Sequence, residues 1–331
     1  MRVELREFSL ELRHPVITSR GTITRRDGLL VQISDGAVTG WGDAMPLPGW
    51  PGADLSATWR ALETWAVDPD PEALPLEPFA HGAIELALLD LEARRTGLSQ
   101  AEVLADGAAV ARSMELNALV SGADEAAAAV ADGYRTVKLK VGASDLEADV
   151  SAVAAVRIAI GEDPRLRLDS NGAWTAEEAV GALTRLEPYD IEYVEEPVSG
   201  LEALARIAEQ SPVPVAVDDS LGTATAPIPE SIPVVVVKPM ALGGPRTAYA
   251  AARRWIDQGR KVVVTNYLDS AIGQHAALSV AAALPGPPQV HGAVTPGLFT
   301  RDIAETPPVT EGCCHLSPQS PIAVDLNLSE Q

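Results

Sequence analysis

Cysteine is almost missing from this sequence: two of 331 residues, Cys313 and Cys314, and they stand side by side. Adjacent cysteines cannot tie distant segments together and match no zinc spacing, so neither a disulfide framework nor a zinc module is indicated. His315 follows them, and the short cluster reads as packing. Basic residues are scarce as well, with 25 Lys+Arg against 46 Asp+Glu giving 25 − 46 = −21. That deficit argues against a nucleic-acid partner, whose phosphates recruit basic patches, and against docking on an anionic membrane surface. Aromatic residues make up only 4%, and the six Trp are scattered rather than grouped into a stacking platform. No apolar stretch of about 18 uncharged residues occurs, and Met1-Arg2-Val3-Glu4-Leu5-Arg6-Glu7 lacks the apolar core of a signal peptide. The expectation is a soluble, cytoplasmic protein.

What the chain does have is core-forming residues, 47% hydrophobic, which excludes a disordered acidic tail. The length suggests two domains, or a closed α/β barrel of about 250 residues with an addition. The first forty residues read as antiparallel strands at Val3-Leu5, Phe8-Leu10, Leu29-Ile33 and Ala37-Gly40, with Ser34-Asp35-Gly36 as a hairpin turn. Helical periodicity takes over at Leu55-Trp65 and from Phe79 to Arg95, where Ile84, Leu88 and Leu91 share a face with Leu86 and Leu89 beside them. Strands followed by helices without alternation predict an α+β unit over residues 1–97.

From about residue 113 the pattern changes to alternation. Short apolar runs at Leu116-Val120, Thr136-Val141, Leu166-Asp169, Ile191-Glu195, Val213-Asp218, Val234-Lys238, Lys261-Thr265 and Gln289-Val290 are separated by crossovers. The helices lie at Asp124-Ala131, Asp145-Ile160, Ala176-Leu186, Gly200-Glu209, Pro245-Gln258 and Ser270-Ala283. Near-continuous Val/Ile/Leu strands suit a parallel barrel, whose strands are buried on both faces. A doubly wound open sheet is the alternative, but no Gly-x-Gly-x-x-Gly follows a strand. The predicted architecture is an α/β chain: a (β/α)7β TIM-type barrel over 98–305 behind an N-terminal α+β unit, with a Pro- and Ser-rich strap over 306–331 packing back.

The charges at the strand ends carry the chemistry. Four successive runs end in a charged residue: Asp169, Glu195, Asp218 and Lys238. One strand earlier Lys138 and Lys140 stand two apart and so point to the same face. Singly, an acid after a strand is a helix cap or turn former. Together, at the mouth where barrel strands converge, they describe a site. Lysines on such strands are costly unless paired or used. Three carboxylates from neighbouring strands can converge on a hard divalent cation, Mg²⁺ or Mn²⁺ rather than zinc. Lysines flanking that cation suit proton transfer at a carbon beside a carboxylate, the cation and burial lowering a lysine toward the range of a base near pH 7.

With these residues in view, the chain resembles the enolase superfamily, in its muconate-lactonizing-type subgroup, nearly end to end. Gly21-Thr22 through Arg26-x-Gly28 resembles the family's mobile capping loop. Gly40-Trp41-Gly42-Asp43-Ala44-Met45-Pro46-Leu47-Pro48-Gly49 resembles its second capping loop, and Ala83 to Gly97 the helix leading into the barrel. Lys138-x-Lys140-x-Gly142, Leu168-Asp169-x-Asn171, Val194-Glu195-Glu196-Pro197, Asp218-Asp219-Ser220 and Lys238-Pro239 follow in family order. The resemblance implies Asp169, Glu195 and Asp218 as Mg²⁺ ligands, Lys140 as general base, Lys138 as its auxiliary and Lys238 on the other side of the substrate. Glu196 and Asp219 become residues behind the ligands, which strand parity also favours, since neighbours point to opposite faces. The family usually has Glu where Asp219 stands.

Within the subgroup the resemblance is to the o-succinylbenzoate synthases, which dehydrate a succinyl-hydroxycyclohexadiene carboxylate in menaquinone biosynthesis. Arg167 stands two before Asp169, as in those synthases. Asp269-Ser270-Ala271-Ile272-Gly273, into which the seventh strand runs, is similar to their Glu-Ser-Ser-Ile-Gly segment, and the eighth strand opens with His291-Gly292 and continues to Leu298-Phe299. Arg167, Asn171 and Ser270 join Glu196 and Asp219 as supporting or substrate-binding residues. The rival is an N-acylamino acid racemase or dipeptide epimerase. The epimerases carry an Asp-x-Asp after the last strand, whereas residues 291–296 here hold no acid, leaving a substrate ammonium unpaired. Thr265-Asn266-Tyr267 also departs from the commoner Ser-rich synthase pattern. A barrel that binds without catalysis would have lost a ligand or a lysine, and none is missing. His14, His81 and His275 read as packing or surface residues. Trp50 belongs to a loop that should close over the mouth, with core packing as the equal alternative, and Ser19 and Arg20 lie in the first loop, placed for contact with a succinyl carboxylate. The partner expected is a small carboxylate; the oligomeric state is open.

Overall fold

A computed structural model describes residues 1–18, 21–50, 52–222, 225, 227–316 and 322–325. Ser19 and Arg20 lie outside the described residues. The chain opens with β1 (Arg2–Thr18), β2 (Gly21–Ser34) and β3 (Thr39–Ala44), an antiparallel sheet with β2 in the middle. The two short strands expected at Val3-Leu5 and Phe8-Leu10 are one long strand, because β1 pairs with β2 without a break from Arg2 to Glu11 and resumes at Val16 after an irregularity. That pairing also makes the segment expected as a mobile loop, Gly21 to Gly28, part of β2. Asp35 makes the β2–β3 turn, its carboxylate accepting from the amides of Ala37 at 2.9 Å and Val38 at 3.0 Å.

Alternate residues of β2 serve two cores. Leu29, Val31 and Ile33 pack with Leu62 of α1 (Leu55–Val67) and with Ala83, Ile84 and Ala87 of α2 (Pro78–Thr96). Leu30 joins Phe8, Leu10 and Leu12 on the opposite face, against Ile272 and Phe299. β3 lies directly on α2: a Cβ on Gly42 would stand 2.0 Å from the Ala83 carbonyl oxygen, and one on Gly40 2.1 Å from that of Ala87. Only glycine permits that approach. A short helix absent from the sequence reading, α3 (Gln100–Ala105), starts at a capping box formed by Ser99 and Glu102.

The barrel region begins with β4 (Ser113–Glu115) and continues β5 (Ala118–Val120), α4 (Ala123–Ala131), β6 (Thr136–Lys140), α5 (Leu146–Ile160), β7 (Arg165–Asp169), α6 (Ala176–Leu186) and β8 (Ile191–Glu195). It is completed by α7 (Leu201–Ala208), β9 (Val215–Val217), β10 (Val234–Val237), α8 (Pro245–Asp257), β11 (Lys261–Val264) and α9 (Ala271–Ala283). Strands β5 to β11 form one parallel sheet in chain order. An eighth rung closes it at His291 and Gly292, where the family resemblance put the opening of the eighth strand and two residues beyond the apolar run at Gln289-Val290. There the His291 amide donates to the Glu115 carbonyl, the Asn117 amide to His291, and the Gly292 amide to Val264. His291 accepts from the Val264 amide through Nδ1 at 3.0 Å; burial, with Arg167 nearby, pushes its imidazole down to about 3, so it stays neutral.

The fold is thus a (β/α)7β-type barrel with an antiparallel N-terminal sheet. Among the described residues the crossover from β9 to β10 holds a single 3-10 turn, Asp219–Leu221, in place of an α-helix. Near the end, β13 (Cys313–His315) pairs with β4 on one side and β12 (Val309–Thr310) on the other, and the Ile322 carbonyl accepts from Arg94 of α2 at 2.8 Å. Both cysteines are free thiols, with Cys314 buried on β13. Among the described residues no helix is long and apolar enough to cross a membrane.

Candidate active site

Strand parity builds the site in layers. Lys140 on β6 pairs in register with Asp169 on β7, and Asp169 with Glu195 on β8, so these side chains form the top inward layer on neighbouring strands. Asp218 follows β9, and Lys238 follows β10. One layer down, Lys138 pairs in register with Arg167, and Arg167 with Tyr193. Val234, Val236 and Val263 form a buried apolar cluster with Tyr193 and Ala216.

The structure brings the expected charges together as lysine–carboxylate pairs. Lys138 Nζ lies 2.9 Å from Glu195 Oε2 and 3.4 Å from Asp169 Oδ2. Lys140 Nζ lies 3.1 Å from Asp169 Oδ2 and donates to Asn171 Oδ1 at 2.6 Å. Lys238 Nζ bridges Asp218 Oδ2 and Asp219 Oδ1, each at 2.7 Å. Lys140 is the most open of the three, with 35% of its side chain exposed against 13% for Lys138 and 15% for Lys238. It presents its amine to the cavity, and the other two are sunk among acids. A cavity of about 470 Å³ holds the three lysines, Asp169, Asn171 and Asp218 in its wall.

Burial and charge oppose each other here. Burial opposes ionisation of Asp169, yet the ammoniums of Lys140, Lys138 and Lys238 outweigh it and hold the carboxyl well below its ordinary range. Asp218 goes the other way: burial, together with Asp219, Glu195 and Asp169, pushes it up despite Lys238. Burial also opposes the charge on Lys138 and Lys238, but the facing carboxylates win and keep both ammoniums favoured. Glu196 is pushed up to about 7 by burial. It ties β8 to the end of β9, accepting from the Asp218 amide at 2.9 Å and the Ser220 amide at 3.0 Å, and from the Ser220 hydroxyl.

Whether these residues suit a hard cation can be read from the acids themselves. The donor set is all oxygen, its strands neighbour one another, and Asp218 Oδ1 is buried with no hydrogen-bond partner. An unsatisfied buried carboxylate oxygen is costly in protein alone and is what a cation relieves. In their present rotamers the acids face lysines, and among the described residues no three acidic, His or Cys side chains converge closely enough to hold an ion.

Two expected supporting residues lie away from the cavity. Arg167 is fully buried beneath the mouth, 2.7 Å from Glu192, donating to Asn117 Oδ1 at 3.2 Å and the Val290 carbonyl at 2.9 Å, with its guanidinium over the Tyr193 ring. It braces the barrel interior rather than reaching substrate, because strand parity puts it one inward position below Asp169. Ser270 caps α9 and donates to Asp43 Oδ2 at 2.7 Å, fully buried between β3 and the barrel.

Sequence reasoning missed three features. Arg26 is fully buried and donates to the carbonyls of Met45, Pro46, Tyr267 and Leu268, joining β2 and the β3 loop to the loop after β11. Burial pushes its guanidinium down to about 10, against the pull of Asp269, Tyr267 and Asp43. Tyr267 lies beside Lys238, whose Nζ is 5.4 Å from the ring centre, and is stacked on Phe79 and edge-on to Trp50. Leu119 pairs in register with Lys138 and stays 48% exposed on the cavity wall. The apolar run Leu116-Val120 was legible in the sequence, but which of its residues faces the cavity was not.

Comparison with known proteins places this geometry. Residues 122–325 match the enolase C-terminal domain-like family and residues 1–80 match the MenC N-terminal domain. An o-succinylbenzoate synthase of Thermobifida fusca is 31% identical over 91% of this chain and 83% of its own. A hydrophobic dipeptide epimerase of Roseobacter litoralis is 29% identical over 74% of this chain and 76% of its own. The solved structure of the L-Ala-D/L-Glu epimerase from Bacillus subtilis superposes with a TM-score of 0.86 at 23% identity, covering 96% of each chain, which is a likeness of fold. Members of the superfamily depend on a metal, usually Mg²⁺. The chain belongs to the enolase superfamily and, within it, to the o-succinylbenzoate synthase family.

Proposed function

We propose that this chain is an o-succinylbenzoate synthase, catalysing syn-dehydration of 2-succinyl-6-hydroxy-2,4-cyclohexadiene-1-carboxylate to 2-succinylbenzoate in menaquinone biosynthesis. The observation that carries the reading is the match of residues 1–80 to the MenC N-terminal domain together with the likeness to the Thermobifida fusca synthase, and the site suits it through Lys140 and Lys238, which face each other across the cavity. β6 and β10 stand four places apart in a ring of eight rungs, so their inward side chains are opposed. Residues 1–97 then serve as a cap over a catalytic barrel at 98–305, with the C-terminal strap returning to it.

In this reading Asp169, Glu195 and Asp218 hold the metal, Mg²⁺ with Mn²⁺ as a substitute. The bound cation supplies charge to offset that developing on the substrate carboxylate. Lys140, with its open amine, removes the ring proton alpha to that carboxylate. The same residue, now an ammonium, delivers a proton to the departing hydroxide on the same face, so water leaves and the ring becomes aromatic. Asn171 steadies the amine of Lys140 through their 2.6 Å contact. Lys238 stabilises the anionic intermediate from the other face, and Leu119 gives the carbocycle an apolar wall. Lys138 holds Glu195 and Asp169 in place.

A racemase of N-acylamino acids is the second reading, favoured by the same opposed lysines, which could exchange protons on two faces of one carbon. Assaying the pure protein side by side for dehydration of the cyclohexadiene and for racemization of N-succinylamino acids separates them. Faster dehydration supports the synthase; faster racemization reverses the assignment.

A further inference from the structure

Asp219 connects a loop of the N-terminal unit to Lys238. Its Oδ2 accepts from the Trp50 indole Nε1 at 3.0 Å, and its Oδ1 accepts from Lys238 Nζ at 2.7 Å. Each oxygen therefore has its own donor. Trp50 stands at the end of the loop after β3, where its amide donates to the Leu47 carbonyl at 3.1 Å. Its ring meets Tyr267 edge-on with centroids 6.5 Å apart, and Tyr267 lies against Lys238. The indole thus reaches the lysine by two routes, through a carboxylate and through a ring.

We propose that Trp50 is a positioning residue: by fixing the Asp219 carboxylate, the loop after β3 sets where the Lys238 ammonium stands over the cavity. Lys238 has two carboxylate partners, and its placement depends on how they share it. With the indole N–H bound, Asp219 cannot rotate freely, and Lys238 is held between Asp219 and Asp218. Without it, the carboxylate turns and the ammonium settles toward Asp218, away from the face of the substrate. The loop then does more than shut out water, because its seating is transmitted to a charged group beside the reacting ring.

The catalytic half of this inference rests on the proposed dehydration; the contact itself does not. Trp50→Phe removes the N–H donor and keeps a smaller aromatic ring on the Tyr267 side. Its kcat for dehydration should fall about tenfold with KM changed by less than about twofold, and the loss should vanish when Trp50→Phe is made on an Asp219→Ala background. A purely structural role would give equal losses on both backgrounds. The contact is read separately from the indole ¹H–¹⁵N resonance of Trp50, identified by its absence in Trp50→Phe, which should shift in Asp219→Ala. An unmoved resonance overturns the contact whether or not the protein is a synthase. A shifted resonance with wild-type kcat in Trp50→Phe overturns the positioning role. If the wild-type protein does not dehydrate the substrate, the function proposed above and the catalytic half fall together, and the resonance alone decides the contact.

Discussion

Lys140 and Asn171 are joined by a 2.6 Å hydrogen bond from the lysine Nζ to the amide Oδ1. Asn171 can offer that oxygen because its backbone is left-handed, φ 47°, two residues past Asp169. Asn171→Gly keeps this conformation without strain and deletes the acceptor. It should leave thermal stability within about 0.5 kcal/mol of the parent and cut kcat about tenfold. Steady-state kinetics with a melting curve check both; an unchanged kcat would remove Asn171 from the site.

The three-carboxylate reading makes activity depend on a cation. EDTA should silence the enzyme, and added Mg²⁺ or Mn²⁺ should restore it, while Zn²⁺ should not. Full turnover in chelator would contradict the assignment of Asp169, Glu195 and Asp218.

Arg26 joins the two parts of the chain through main-chain carbonyls on both. Arg26→Met leaves those carbonyls unsatisfied and Asp43 and Asp269 without their cation, at a cost of roughly 3 kcal/mol. Urea denaturation should show that loss as a lower midpoint. A midpoint equal to the parent would mean the carbonyls find water.

Asp269 is pushed up to about 6, chiefly by burial, with the Tyr267 amide and Arg26 pulling the other way. The folded state therefore holds this proton more tightly than the unfolded chain. Its contribution to stability is full below about pH 4, falls as pH rises to about 6, and is level above that. Asp269→Asn should flatten this part of the stability profile, measured by denaturation at pH 4 to 7. An unchanged slope would assign the dependence to other buried acids, such as Asp302, also pushed up to about 6 by burial.

The alternation of strands and helices, and the charges on the strand tops, were legible because both are local. Parity along one strand already puts Lys138 and Lys140 on one face and separates Glu195 from Glu196. The Ser99 to Glu102 capping box was equally local but sits in a linker without apolar periodicity, so α3 escaped notice. Trp50 and Asp219 meet across 169 residues, and Arg26 and Leu268 across 242, and no spacing announces such contacts. Ser270 and Arg167 were placed in the correct segments, but whether a buried polar group faces a cavity or a neighbouring element is decided by packing. The rung at His291-Gly292 has no period to read, so the apolar run pointed to Gln289-Val290 and only the family resemblance put the eighth strand's opening at His291-Gly292.

The account turns on Lys140 as the group that moves the proton. Lys140→Ala, assayed with saturating Mg²⁺ against the cyclohexadiene substrate, should lose turnover by at least about a thousandfold while its circular dichroism and Mg²⁺ affinity match the parent. Turnover at the parental rate would contradict it.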